Sequence, residues 1–133
     1  MPILDTDILI SFLRNKKKAV NMMSSLIKSK IILKTTIINV GELYTGAYLS
    51  SQVAKDINSI EKLLEKFEIL EYTKEDSRVF GQIQANLIKT GNKIGKMDTI
   101  IGSIALNRDK VLITRNVKHF EMIPRLKIKN WYL

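Results

Sequence analysis

Short apolar runs alternate along the chain with longer stretches in which apolar residues recur every three or four positions. A short continuous run predicts a buried strand, whereas the longer spacing predicts an amphipathic helix. The predicted strands are residues 2–5, 31–33, 68–71, 111–114 and 126–128, and the predicted helices have apolar faces within residues 8–13, 20–27, 40–48, 53–67, 79–88 and 97–105. Strands separated by helices favour a mostly parallel sheet with helices on both faces.

Several predicted helices carry residues that commonly begin or end a helix. Asp5 or Thr6 is available to cap the first helix, and Asn39 is the expected cap of the third. Gly91 is expected to end the helix before it, because glycine readily takes the left-handed conformation found after a last turn. No linker, repeat or low-complexity segment interrupts the pattern, so we expect residues 1–133 to form a single α/β domain.

Composition favours a polyanionic partner and removes some classes of chemistry. The 22 Lys and Arg residues outnumber the 13 Asp and Glu residues, which gives a formal net charge of +9. A general richness in Lys and Ile is the alternative explanation of this charge. Cysteine is absent, so disulfide and thiolate chemistry are excluded. No apolar stretch approaches the ~20 residues of a membrane span, and Asp5 and Asp7 interrupt a signal-peptide pattern, so we expect a soluble cytoplasmic protein.

Three carboxylates and a polar pair stand where the predicted elements would gather them. Asp5 follows the first strand, whereas Glu42 and Asp98 are expected in the first turns of helices. Thr114 and Asn116 follow a later strand, and in open α/β sheets the functional crevice lies beyond the carboxyl ends of the strands. Clustered carboxylates suit Mg²⁺ or Mn²⁺, which bind oxygen ligands and offset repulsion between like charges. The alternative is that the helix dipole alone explains Glu42 and Asp98.

Four segments that contain these residues resemble the sequence blocks of one family. They read ILDTDILISFLR, TTIINVGELYTGA, IGKMDTIIGSIAL and LITRNVKHFEMIPRLKIKNW, in order from near the start of the chain to Trp131. The blocks are similar to those of PIN-domain ribonucleases, specifically the VapC toxins of VapBC toxin–antitoxin pairs. The resemblance implies a PIN-like three-layer α/β/α fold and a Mg²⁺- or Mn²⁺-dependent endoribonuclease. Its implied partners are RNA, a VapB-like antitoxin whose C-terminal segment blocks the site, and a second copy of the chain.

The same resemblance implies roles for individual residues. Asp5, Glu42 and Asp98 are the implied metal-site residues, and they would serve phosphodiester hydrolysis. Thr114 and Asn116 would orient water or phosphate beside them. In such hydrolysis a divalent ion offsets charge on the phosphoryl oxygens and lowers the pKa of bound water.

Three positions depart from the family pattern. Asn116 and His119 stand near the place where the family often has another acid, which reduces the negative charge of the site. Asp7 stands where the family often has Asn or Ser, and it either restores some of that charge or faces solvent. His119 is the only histidine, and we expect it to be structural instead of acting as a general acid.

Basic residues near the acids are the expected phosphate contacts. They are Lys93, Lys96, Arg115 and Lys118. The three lysines at residues 16–18 are instead expected to form a solvated helix start.

Two other functions fit parts of the same pattern. A receiver-type phosphoacceptor domain also places acids, a Thr and Mg²⁺ at the carboxyl ends of a parallel sheet. It is disfavoured because Asp98 opens a helix and because no Lys fits the position that a receiver requires. A catalytically inert RNA-binding PIN domain is disfavoured by the intact set of Asp5, Glu42 and Asp98.

Overall fold

A five-stranded parallel sheet forms the centre of the molecule. The computed structural model describes residues 2–132. The strands are β1 (Ile3–Leu4), β2 (Leu33–Thr36), β3 (Phe67–Leu70), β4 (Leu112–Ile113) and β5 (Ile128–Lys129), in the spatial order β3-β2-β1-β4-β5. Every pairing is parallel, with the register Ile3 to Leu112 and Leu4 to Ile113 at the centre of the sheet. The predicted mostly parallel sheet is therefore confirmed.

Seven helices in the described part of the chain cover both faces of this sheet. They are α1 (Thr6–Leu13), α2 (Lys17–Lys28), α3 (Ile37–Tyr48), α4 (Val53–Leu64), α5 (Lys74–Thr90), α6 (Lys96–Asn107) and α7 (Val117–Phe120). Leu4 and Ile113 pack with α1 to α4 on one face, whereas Ile3 and Leu112 pack with α5 and α6 on the other. This division follows from the alternation of side chains along a strand. The predicted three-layer α/β/α sandwich is confirmed.

The second strand and third helix differ from their predicted positions. The strand runs over residues 33–36 instead of 31–33, and Ile32 is exposed. The hydroxyl of Thr35 can lie buried inside the sheet because it donates to the Leu4 carbonyl (2.8 Å). Thr36, and not Asn39, caps α3 in a reciprocal capping box. The helix therefore starts earlier than predicted, and Glu42 lies in its second turn instead of its first.

Other boundaries are closer to expectation. Asp5 caps α1, and Gly91 ends α5 with a φ of 74°. The last strand is residues 128–129 instead of 126–128, and the four-residue helix α7 was not predicted. Within residues 2–132, none of the helices combines the length and the apolar character needed to cross a membrane.

Candidate active site

Asp5 lies at the centre of a polar cluster where three neighbouring strands end. Strands β2, β1 and β4 are adjacent and parallel, so their carboxyl ends share one edge. The Asp5 side chain is buried, and its Oδ1 accepts hydrogen bonds from the Thr6 amide and from Asn39 Nδ2, both at 2.9 Å. Its Oδ2 accepts from the Thr114 hydroxyl at 2.7 Å. The predicted meeting of the first and later strand ends is thus present for Asp5 and Thr114.

Glu42 reaches the cluster through Thr6 and Asn39. The Thr6 hydroxyl donates to Glu42 Oε1 at 2.6 Å and accepts from Asn39 Nδ2 at 2.9 Å. Asn39 is fully buried, and its Oδ1 accepts from the Thr36 amide and hydroxyl. One side-chain amide hydrogen of Asn39 is therefore directed at Asp5, and the other at Thr6, which donates to Glu42. Asn39 acts as a positioning residue for Asp5 and Thr6.

Asp98, in the first turn of α6, forms a second group with two residues near α7. Its Oδ2 accepts from Asn116 Nδ2 at 3.1 Å and lies 3.3 Å from His119 Nδ1. Asn116 Nδ2 is also 2.9 Å from His119 Nδ1. One side-chain amide hydrogen of Asn116 can donate to Asp98 and the other to His119, in the His119 tautomer whose Nδ1 accepts. The structure thus brings Asn116 and His119 to Asp98, and the unpredicted helix α7 is the element that places His119.

Asp7 lies within hydrogen-bond distance of three donors. Its Oδ2 accepts from the Arg115 amide at 2.9 Å and lies 3.1 Å from the Thr114 hydroxyl. Its Oδ1 accepts from the Trp131 indole Nε1 at 2.9 Å. Asp7 therefore joins α1 to the end of β4 and to the last residues of the chain. The alternative in which Asp7 only faces solvent is wrong.

Negative charge exceeds the donors available around Asp5. The Thr114 hydroxyl has one hydrogen but lies within hydrogen-bond distance of both Asp5 and Asp7, and it already accepts from the Asn116 amide at 3.0 Å. The pKa of Asp5 is raised to about 7, chiefly by burial and also by the charges of Asp7 and Asp98, against the lowering effect of the Thr114 and Thr6 hydrogen bonds. A proton or another cation is needed to balance this group.

Glu42 shares this excess of negative charge. Burial raises the pKa of Glu42, and the charges of Asp98 and Asp7 raise it too, whereas the Thr6 hydrogen bond lowers it. Because the charge of Asp98 raises the pKa of both Asp5 and Glu42, we treat these three carboxylates as one electrostatic unit. The structure thus brings all three predicted acids to one edge of the sheet.

The donor set of this unit has the chemistry that a hard divalent cation requires. Carboxylate oxygens are the ligands that Mg²⁺ and Mn²⁺ prefer, and the raised pKa values mark a site that would be stabilised by a cation. Within residues 2–132, no three Asp, Glu or His side chains already lie in an arrangement that holds a metal ion as they stand. The residues fit such an ion by charge and ligand type.

The predicted phosphate contacts occupy the surroundings of the acids unequally. Lys93 lies in the loop before α6, Lys96 is the first residue of α6, and Lys118 is in α7, all with exposed side chains. No salt bridge is made by any of these lysines within residues 2–132. Arg115 differs, because its guanidinium carbon lies 3.7 Å from the centre of the Tyr132 ring.

Comparison with known proteins agrees with this architecture. The family model of the PIN domain matches residues 3–126. The chain belongs to the PIN-domain family. It is 32% identical over 128 residues to ribonuclease VapC2 of Haemophilus influenzae and 30% identical to a VapC of Salmonella typhimurium named a tRNA(fMet)-specific endonuclease, with 96% of each chain covered in both cases. The VapBC2 structure of Rickettsia felis bound to a promoter DNA fragment matches with a TM-score of 0.89 and 25% identity, covering 97% of both chains.

These similarities confirm the resemblance to PIN-domain ribonucleases of the VapC branch and the ribonuclease class of the enzyme. PIN-domain ribonucleases are generally dependent on divalent metal ions. Sequence reasoning missed the positioning role of Asn39. A signal for its pairing with Thr36 was present, because a Thr followed three residues later by a polar side chain is typical of a capping box. It also missed the contact of Trp131 with Asp7, for which no local signal exists.

Proposed function

We propose that the chain is a Mg²⁺- or Mn²⁺-dependent endoribonuclease that acts in the cytoplasm as the toxin of a toxin–antitoxin pair. The observation that carries the proposal is the charge excess around buried Asp5 at the carboxyl edge of the sheet, in a member of a ribonuclease family. The proposal treats residues 1–133 as one PIN-like domain, and the match over residues 3–126 supports it.

In this proposal the acids hold the cation and their neighbours hold the acids. Asp5, Glu42 and Asp98 would supply carboxylate oxygens to it. The bound cation would offset charge on the phosphoryl oxygens and lower the pKa of an attacking water. Thr114 and Asn116 orient water or phosphate, because the Thr114 hydroxyl lies against Asp5 and the Asn116 amide lies against Asp98.

Exposed cations near the acids would position the RNA strand. Lys93 and Lys96 precede Asp98 along the chain, and Lys118 precedes His119 in α7. Arg115 is joined to the acidic cluster through its own amide on Asp7. Their charges offset repulsion between the acids and the phosphate backbone. Contacts between such cations and phosphates supply most of the sequence-independent affinity for nucleic acid.

The proposed protein partners are a VapB-like antitoxin and a second copy of the chain. The similar proteins of known structure include a VapBC2 structure from Rickettsia felis, which supports the antitoxin. Tyr48 and Leu49, at the end of α3, are 68% and 83% exposed and provide apolar surface for a partner to cover.

Metal removal tests the proposed activity. We expect the purified chain to cleave single-stranded RNA with Mg²⁺ or Mn²⁺ and to lose cleavage in EDTA, because the acids then repel the phosphate. Gel analysis of an end-labelled RNA would measure the products. Binding without metal-dependent cleavage would favour the inert RNA-binding alternative, and labelling of an aspartate by acetyl phosphate would favour the receiver alternative.

The replacement Asn116→Asp tests the charge of the last block. We expect tighter Mn²⁺ binding, because a carboxylate beside Asp98 adds a charged oxygen ligand to a hard-cation site. Calorimetry without RNA would measure the dissociation constant, with Asn21→Asp as the matched control on the exposed surface of α2. Equal affinity in wild type and Asn116→Asp, or an equal gain in Asn21→Asp, would place residue 116 outside the metal site.

A further inference from the structure

The ring of Tyr132 gathers two cations beside the acidic cluster. The Arg115 guanidinium carbon lies 3.7 Å from the ring centre, and Lys18 Nζ lies 4.4 Å from it. Lys18 Nζ also donates to the Tyr132 carbonyl at 2.7 Å. Three segments distant in sequence, namely α2, the end of β4 and the C-terminal residues, therefore meet at this ring. We call Lys18, Arg115 and Tyr132 the ring cluster.

We propose that the ring cluster is an RNA-binding subsite, in which Lys18 and Arg115 hold a backbone phosphate of the strand that crosses the acidic site. The inference deepens the proposed ribonuclease function and rests on it. It assigns substrate contact to Lys18, which sequence reasoning placed in a solvated run of lysines, and a positioning role to Tyr132.

The charge of the ring cluster is not balanced by the described part of the protein. No carboxylate of residues 2–132 forms a salt bridge with Lys18 or Arg115. Lys18 lies in the first turn of α2, which contains no acidic residue, and a helix N-terminus disfavours a cation. Two like charges held at one ring repel each other, and a bound anion beside them would relieve that repulsion. A phosphate of RNA supplies such an anion.

The ring cluster is fixed relative to the acids. The residue before Tyr132 is Trp131, which is buried and donates from its indole to Asp7 Oδ1 at 2.9 Å. The Arg115 amide donates to the other oxygen of Asp7, and that oxygen shares the Thr114 hydroxyl with Asp5. This chain of contacts links the backbone beside the ring and the backbone of Arg115 to the acids. Tyr132 is 41% exposed, so the cluster is open to solvent.

Salt-dependent RNA binding distinguishes this subsite from a purely structural contact. The probe is a fluorescein-labelled single-stranded polyuridine RNA, titrated with the full chain in EDTA at several salt concentrations. We expect Lys18→Met to weaken binding and to reduce the slope of log K against log salt by about 0.7, which is the single-strand value for one phosphate contact. Lys17→Met, an equal charge change at an exposed neighbour, should leave the slope unchanged.

The ring itself is tested by two replacements. Tyr132→Leu should weaken binding by about two- to fivefold, which corresponds to an exposed cation–π contact, and it should leave the slope near the wild-type value because both cations remain. Tyr132→Phe keeps the ring and should bind as wild type does. Melting temperatures of all variants report folding independently.

Three results would overturn the inference. If Lys18→Met lowers the melting temperature and leaves the salt slope unchanged, the ring cluster has only a structural role. Equal slope changes in Lys18→Met and Lys17→Met would mean that general charge is responsible. A changed oligomeric state in Lys18→Met, measured by light scattering, would assign the cluster to an interface between copies. In each case metal-dependent cleavage by wild type would still support the ribonuclease, so the two failures are separable.

Discussion

Replacing any one of the three acids by its amide is expected to remove most RNA cleavage. In Asp5→Asn, Glu42→Gln and Asp98→Asn we expect losses of at least about 100-fold, since changing even a residue that supports a metal ligand commonly costs 10- to 100-fold. The physical reason is that each amide removes one negative charge, and one carboxylate ligand, from the group that would hold the cation. Initial rates on an end-labelled RNA with Mn²⁺ would measure the loss, and expression of the variants should be less toxic to growth.

A matched control separates this effect from a general change of charge. Glu61→Gln removes an exposed carboxylate from α4 and should cleave as wild type does. The three acid variants should stay folded, because each removes repulsion without removing apolar contacts. Near wild-type cleavage in two of the three would show that the assignment of the site is wrong.

The metal-free protein is expected to lose stability as the pH rises from about 5 to 8. Asp5 has a folded pKa of about 7 against an ordinary value of 3.8, so between these values the folded state holds a proton that the unfolded state has released. The free energy of unfolding must then fall with rising pH, by up to about 1.4 kcal/mol per pH unit for one such group. The raised pKa of Glu42 contributes in the same direction. Urea denaturation in EDTA across this range would measure the slope.

The variant Asp5→Asn provides the control for that pH dependence. It cannot bind the proton, so its stability should be flatter with pH, and its gain over wild type should be larger at pH 8 than at pH 5. Added Mn²⁺ should stabilise wild type more than Asp5→Asn at pH 8, because ligands that bind the folded state raise its stability. A wild-type stability that is flat or rises between pH 5 and 8 would contradict the burial of an unbalanced charge at Asp5.

Sequence reasoning succeeded where strand ends alone determine position. Asp5 and Thr114 follow the apolar runs of β1 and β4, and these strands pair in parallel, so their meeting follows from topology. The apolar period of α6 likewise placed Asp98 in a first turn. The position of Glu42 was less accurate, because two buried threonines at the end of β2 read as polar in a one-dimensional pattern.

The supporting contacts could not be predicted from local pattern. Asn39 was assigned to a helix cap, but its side chain points across to Asp5 and Thr6, more than thirty residues earlier in the chain. The indole of Trp131 is separated from Asp7 by 124 positions. Such contacts depend on how helices pack on the sheet, and a single sequence carries no periodic signal of that packing. His119 shows the same limit, because a four-residue helix is too short to have a detectable period.

The central position of β1 has a consequence for the synthesis of the protein. Ribosomes release β1 before its partner β4, and the Thr114 and Trp131 contacts are made by residues that lie more than a hundred positions after Asp5 and Asp7. The acidic edge of the sheet therefore assembles only after residue 131 has been synthesised. Until those residues leave the ribosome, a nascent chain lacks the contacts that hold Asp5 and Asp7 in place, so the order of synthesis itself delays formation of the acidic cluster.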